Sequence, residues 1–369
     1  MRVLISGGGT GGHVNPAVAI ANYLCEKNKN IQVAFAGTEK GLENKVVPRE
    51  GYKLYYLKVR PFNRKKKITA VFSNIDAAVK AFTSQITAKK IIKKYKPDIV
   101  IGTGGFVSWP VLSVASKMKI PTAIHEQNAF PGITSKMLAK TVDKVMISFD
   151  ESRKYFKDKD KLIYTGNPVR QEYFNTDGKK EKKELSPGKF MILSVGGSMG
   201  AAKINDVMTD FMGKYSKNKN ITHYHVTGSR GYKEYSKLFK DKELNIYSNL
   251  FLKEYLFDIY KYYAAADIII CRSGALTLTE LAVLKKPAIL IPSPNVAENH
   301  QYKNAEVLEK QNAAVIIEEK DLTTEKLIEK IEELTSDPFK LTDMAHNISK
   351  FASYDTLDKI YEIIMDLKK

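Results

Sequence analysis

Cysteine and tryptophan are nearly absent from this chain, with two of the first and one of the second in 369 residues. Cys25 and Cys271 stand far apart without C-x-x-C spacing, so there is no sign of a disulfide framework or a cysteine zinc site. Long apolar runs are missing too. None reaches the roughly 18–20 residues that a membrane-spanning helix needs. The first apolar residues run straight into a glycine loop, which leaves no room for the apolar core of a signal peptide. These absences predict a cytoplasmic protein. Acidic residues are scarce, 41 against 59 basic ones, for a formal net charge of +18. Only 8 of the basic residues are arginine. The lysine excess fits either codon composition or an anionic partner, whether nucleic acid, a membrane surface or a phosphate-bearing substrate.

Glycine, by contrast, is concentrated at two places. Gly7-Gly8-Gly9-Thr10-Gly11-Gly12-His13 follows the apolar run Val3–Ile5, and Gly196-Gly197-Ser198-Met199-Gly200-Ala201 follows Met191–Leu193. Each precedes a stretch with helical spacing. Two strand–glycine-loop–helix units in a chain about two domains long predict two nucleotide-type α/β domains facing each other across a cleft. Such an enzyme would hold two phosphate-bearing substrates.

Strands are expected at 2–6, 32–36, 99–101, 121–125 and 144–148, alternating with helical patterns such as 16–27 and 134–139. That alternation argues for a parallel sheet covered on both faces. The charged, turn-rich stretch Asp177–Gly188 reads as a linker. Further strands are expected at 190–195, 222–227, 246–249, 267–271 and 287–291, and an amphipathic helix over 354–369 closes the chain.

Gly7-x-Gly9-x-x-Gly12 meets the dinucleotide fingerprint, in which glycines let a diphosphate approach the backbone at a helix N-terminus. The acidic ribose partner about 20 residues on is missing. Glu39, the nearest candidate, follows Gly37-Thr38 in a polar loop, which argues against an NAD oxidoreductase. His13 ends the loop. An imidazole of ordinary pKa, about 6.5, accepts a hydroxyl proton near neutral pH; alternatively His13 orders the loop, and Thr10 caps the helix. Gly102-Thr103-Gly104-Gly105 ends a strand of the same sheet and should stand beside the first loop, so Gly104 and Gly105 join the candidate diphosphate cradle. Further on, Cys271–Glu280 forms a strand end, turn and helix start, where Glu280 either accepts from ribose hydroxyls or only complements the helix end. Residues 60–96 hold eleven Lys/Arg against one acid, Asp76. Within them Val71, Phe72, Ile75, Val79, Phe82 and Ile86 recur at helical spacing, as in a helix lying on an anionic membrane or one packed on the sheet. Asp158-Lys159-Asp160 has the D-x-D form of metal-dependent glycosyltransferases, but sits in a lysine-rich run and reads as solvated surface.

Together the motifs resemble one family. Gly-Gly-Thr-Gly-Gly-His at 8–13, His-Glu-Gln-Asn at 125–128, Gly-Asn-Pro-Val-Arg at 166–170 and Gly-Gly-Ser-x-Gly-Ala at 196–201 occur in the order of the MurG family, as do Arg-Ser-Gly-Ala-Leu-Thr at 272–277 and His-Gln-Tyr-x-Asn-Ala at 300–305. These are the N-acetylglucosaminyltransferases that complete lipid II for peptidoglycan. The resemblance spans nearly the whole chain and implies the GT-B fold, an α/β arrangement of two Rossmann-like domains. It implies an acceptor domain over 1–166 plus 352–369, with the last helix crossing back and the lipid I diphosphate near Thr10-Gly11-Gly12 and the loop at 102–105, and a domain over 167–351 that holds most of the donor. It further implies inverting transfer of N-acetylglucosamine from UDP-N-acetylglucosamine to the muramoyl C4 hydroxyl of lipid I, without a metal or other cofactor.

Residue by residue, Thr10, Gly11, Gly12 and Asn128 match sugar-nucleotide contacts, while Arg170 and Ser198 match positions near the donor phosphates. Leu256 matches a uracil contact. Ala275, Leu276, Thr277, Leu278, Thr279 and Glu280 match the nucleoside segment, with Glu280 on the ribose, and Gln301 reaches the donor sugar. His13 is the first choice for general base and Glu126 the alternative. The resemblance places the enzyme on the cytoplasmic side of the cell membrane as a peripheral protein, held by the basic run near 60–85. Other cell-wall synthesis proteins are admitted as partners and nucleic acid is not. Diacylglycerol and sterol glycosyltransferases share the architecture, but the motifs at 125–128 and 166–170 favour the MurG family over them. A nucleic-acid-binding protein lacks any zinc-finger or aromatic RNA-binding signature here.

Overall fold

Val3, Leu4 and Ile5 are all fully buried in β1 (Arg2–Gly7) of the computed structural model. A strand sends successive side chains to opposite faces, so both faces of this sheet are covered. Leu4, Val100, Ile124 and Val145 belong to one core layer, and Val3, Ile5, Ile101 and Met146 to the other. The structure describes residues 1–57, 59, 83–197 and 199–368. They divide into two compact units, Met1–Val169 with Ser353–Lys369, and Arg170–Ala352.

The first unit continues with β2 (Gln32–Gly37), β3 (Lys53–Tyr56), β4 (Ile99–Gly104), β5 (Thr122–Glu126), β6 (Lys144–Ile147) and β7 (Leu162–Tyr164). All pair parallel in the order β3-β2-β1-β4-β5-β6-β7. The order reverses direction between β1 and β4, and in open α/β sheets ligands collect beyond the strand ends at such a switch. Both glycine loops of this unit leave from those two ends, with Gly7 paired to Gly104. Helix Thr356–Lys368 packs Leu357, Ile360 and Ile364 into the same layer as Val14, Ala17 and Ile20 of helix Gly11–Lys27. Asp358 joins the two helices by bonds to Tyr23 and Lys27.

The second unit repeats the plan. Its strands β8 (Phe190–Val195), β9 (Ile221–Val226), β10 (Leu250–Lys253), β11 (Ile268–Cys271), β12 (Ala288–Leu290) and β13 (Val315–Ile316) pair in parallel. Their order is β10-β9-β8-β11-β12-β13, so the switch falls between β8 and β11. Those ends carry the 196–200 loop and the Arg272–Gly274 turn.

Several local expectations change. Asp177–Gly188 is not an open linker: Gly178–Leu185 is a helix whose N-cap, Asp177, accepts from the Lys179 and Lys180 amides. Lys182 of that helix pairs with Asp267 at the head of β11, so the segment is part of the second unit. The strand expected at 246–249 begins at Leu250. Ile246 instead ends a 3-10 turn and is exposed. Short β3, β7 and β13 close the sheets without the apolar alternation that marks a half-buried strand. The D-x-D segment is an exposed turn in which Asp158 accepts from the Asp160 amide and pairs with Lys161. Among the described residues no helix is long and apolar enough to cross a membrane. The Arg64–Lys67 run and five of the six stripe residues, Val71 to Phe82, lie outside the described residues. Ile86 is exposed, on a helix over 83–95.

Candidate active site

In the first unit the glycine loop ends on helix Gly11–Lys27. Thr10 occupies the N-cap position with extended backbone, makes no side-chain cap bond, and is exposed. The first turn contains no acid. The positive helix end therefore suits an anion. His13 stands on this first turn against the second loop. A Cβ on Gly104 would lie 2.9 Å from His13 Nδ1, and one on Gly105 would lie 2.4 Å from the Gly8 carbonyl oxygen. Both residues have positive φ, 96° and 78°, so glycine there is what lets the loops nest around the ring.

His13 Nδ1 lies 3.0 Å from the Thr103 carbonyl oxygen and 3.2 Å from Gln127 Oε1. Gln127 Nε2 lies 3.0 Å from His125 Nδ1 and 3.0 Å from the His125 carbonyl oxygen, which fixes the amide orientation. His125 Nε2 is 2.9 Å from the Gly166 carbonyl oxygen. Only one proton assignment satisfies the whole chain. His125 donates from Nε2 and accepts at Nδ1, Gln127 presents its oxygen to His13, and His13 carries its proton on Nδ1. The neutral His13 ring then keeps its lone pair on Nε2. Burial lowers the pKa of His125 to about 4, against a smaller opposing effect of the Gly166 bond, so the His125 ring is neutral at physiological pH.

Glu126 is buried and committed elsewhere. Oε1 accepts from the Asn128 backbone and side-chain amides at 2.9 and 3.0 Å, and Oε2 from the Gly132 amide at 3.1 Å. Its carboxylate shapes the loop that presents Asn128. A second buried carboxylate, Glu43, was not legible as a site residue in the sequence. It accepts from the Gly9 amide at 2.9 Å and from the Thr38 amide and hydroxyl at 2.9 and 2.7 Å.

In the second unit, helix Ala202–Tyr215 follows the glycine loop with no side-chain cap and no acid in its first turn. Ser198 lies outside the described residues. A cavity of 410 Å³ opens beside this helix start, lined by Lys203, Pro292, Pro294, Asn299 and Tyr302 among others. That size lies within the range of small-molecule pockets, about 300–1,000 Å³. Gln301 adjoins this wall, and its Oε1 accepts from the Ser293 amide at 2.8 Å. Arg272 supports the same turn by donating to the Ile291 and Pro292 carbonyls at 3.0 and 3.2 Å and pairing with Glu319.

Glu280 lies on helix Ala275–Val283. Loss of water pushes its carboxyl up to about 7, against the opposing hydrogen bond from Tyr173 and charge of Arg170. Arg170 in turn sits 5.7 Å from the centre of the Tyr173 ring. The structure thus gathers Arg170, Tyr173 and Glu280, of which Tyr173 carried no sequence signal beyond an aromatic near Arg170. Of the matched nucleoside segment, Leu276, Thr277 and Glu280 keep accessible surface, whereas Ala275, Leu278 and Thr279 are buried and can offer a ligand little but backbone. Leu256 is buried between exposed Tyr255 and Phe257.

The profile of the glycosyltransferase family 28 N-terminal domain matches residues 3–147, and that of its C-terminal domain matches 191–360. A protein of Acetivibrio thermocellus is 44% identical over all of this chain and 99% of its own length. One of Thermoanaerobacter sp. (strain X514) is 45% identical over the full length of both. Each is named a UDP-N-acetylglucosamine–N-acetylmuramyl-(pentapeptide) pyrophosphoryl-undecaprenol N-acetylglucosamine transferase. The crystal structure of Acinetobacter baumannii MurG aligns over 99% of both chains with a TM-score of 0.76 and 28% identity.

Proposed function

The chain belongs to the MurG family of glycosyltransferases, with family 28 domains in both of its GT-B units, and from that premise we propose the reaction it catalyses. It transfers N-acetylglucosamine from UDP-N-acetylglucosamine to lipid I, the undecaprenyl-diphospho-muramoylpentapeptide, giving lipid II and UDP for peptidoglycan synthesis. The first unit holds the acceptor diphosphate at Thr10–Gly12 and Gly104–Gly105. The second holds the donor: Glu280 takes the ribose hydroxyls, Leu256 borders the uracil, and Gln301 reaches the sugar. Arg170 and the start of helix Ala202–Tyr215 face the phosphates, with Ser198 on that loop.

The muramoyl C4 oxygen attacks the anomeric carbon, and its proton passes to His13 Nε2. The bond from the anomeric carbon to the diphosphate oxygen breaks with inversion from α to β, and UDP leaves with the electron pair. Charge grows on the departing diphosphate, where preorganised positive groups act most strongly. Arg170 and the helix dipole supply them. The observation that carries this reading is the His13 ring, whose Nδ1 is committed to two acceptors, leaving Nε2 to take the proton. Glu126, with both oxygens occupied, positions Asn128 instead.

The lipid acceptor requires docking at the cytoplasmic face of the membrane. The net charge of +18 and exposed Ile133 and Met137 beside Lys136 support contact with an anionic bilayer. Transfer of labelled sugar to a short-chain lipid I analogue tests the assignment. His13→Ala should lose roughly 100-fold or more in kcat while keeping UDP affinity; full activity in that variant would remove His13 as the base.

A further inference from the structure

Glu43 is completely buried, and among the described residues no lysine or arginine pairs with it. A buried carboxylate is tolerated only when hydrogen bonds replace its water. Here Thr38 accepts from the Gly41 amide at 3.1 Å, so its hydroxyl hydrogen is directed to Glu43 Oε1, 2.7 Å away. The Thr38 amide reaches the same oxygen and the Gly9 amide the other, each at 2.9 Å. One carboxylate therefore joins the turn after β2 to the glycine loop after β1. It also explains glycines that a phosphate cradle alone does not. A Cβ on Gly8 would lie 2.5 Å from Oε1, and one on Gly41 would lie 2.1 Å from Oε2. The backbone closes around the carboxylate at both places.

A negative group under a loop that receives a diphosphate does not favour the anion by charge. Its contribution is shape. From these contacts we infer that Glu43 is a positioning residue for the reaction: by holding the Gly9 amide it sets the Gly8–Gly9 turn, and with it the placement of Thr10–Gly12 and His13 at the acceptor. The inference rests on the acceptor reading of the first loop. Glu43→Gln is nearly isosteric but turns an amide NH2 toward either the Gly9 amide or the Thr38 amide and hydroxyl, all of which donate to the wild-type carboxylate.

The test compares full-length wild type, Glu43→Gln and His13→Ala with the short-chain lipid I analogue and UDP-N-acetylglucosamine. Glu43→Gln should lower kcat/KM for the acceptor on the order of 10- to 100-fold, the effect of losing one charge-assisted hydrogen bond. Affinity for UDP itself, whose nucleoside contacts are proposed in the other unit, should not change. Hydrogen exchange should accelerate in the segments holding Gly9 and Thr38. A general loss of folding would instead spread through the unit. Should Glu43→Gln not fold, Thr38→Val removes one donor and should show a smaller loss of the same kind. Unchanged acceptor kinetics and exchange in the Glu43 variant overturn the inference. If His13→Ala is then also unimpaired, the acceptor reading of the loop falls with it; if His13→Ala alone loses activity, that reading stands.

Discussion

Glu280→Gln should stabilise the second unit above pH 7 while weakening its hold on a uridine nucleotide. The carboxyl of Glu280 is moved from its ordinary 4.5 to about 7 by loss of water. Between those two values the folded protein holds a proton that the unfolded chain has released. Stability therefore falls as pH rises through this window, and the penalty is complete above about 7. The displacement corresponds to roughly 3 kcal/mol, which solvent on the partly accessible side chain reduces to about 2 kcal/mol. Glutamine keeps an oxygen for the Tyr173 hydroxyl and carries no charge to desolvate. Urea unfolding of both proteins at pH 5 and pH 8 measures the difference, which should appear only at the higher pH. Trp109 is the only tryptophan and lies in the first unit. Its fluorescence should be indifferent to the substitution, while circular dichroism reports the change. With Glu280 in its proposed role, ribose hydroxyls would donate to the ionised carboxylate, so UDP affinity of the wild type should rise between pH 6 and 8, and the variant should lose this dependence along with affinity. A variant no more stable than wild type at pH 8 would refute the desolvation argument.

Gln127→Leu removes one acceptor of the His13 Nδ1 proton and the donor to buried His125 Nδ1. It should destabilise the first unit by about 1–3 kcal/mol and lower kcat without changing UDP affinity; unchanged kcat in the folded variant would show that Thr103 alone suffices to orient the ring. Gly166→Ala places a Cβ 2.7 Å from Ser353 Cβ and Thr356 Oγ1 at a φ of +83°. The cost should be roughly 2 kcal/mol or more, visible as an earlier urea transition in Trp109 fluorescence, and a wild-type midpoint would mean the start of the last helix yields freely.

The architecture was legible because the chain writes it twice, once in each half, as an apolar run, a glycine loop and a helix. Val3–Ile5 and Met191–Leu193 carry enough apolar density to mark central strands buried on both faces. Edge strands such as Lys53–Tyr56 lack that density and were missed. Asp177–Gly188 misled because lysines and glutamates face water equally well from a loop or a surface helix. Its N-cap and the Lys182–Asp267 pair become visible only in three dimensions. The profiles and relatives agree with the family read from the motifs.

The sequence by itself determined the family, the two α/β units and the glycine loops proposed to carry the site, since glycine and histidine spacing along the chain is a local property. Tertiary structure decided which partners each candidate side chain has. His13 and Glu126 were both candidate bases by residue type, and their hydrogen bonds differ: both Glu126 oxygens already accept from amides, while His13 is held through Nδ1. Glu43 and Tyr173 entered for the same reason. A carboxylate or a phenol announces its role through what surrounds it, and those neighbours come from distant parts of the chain.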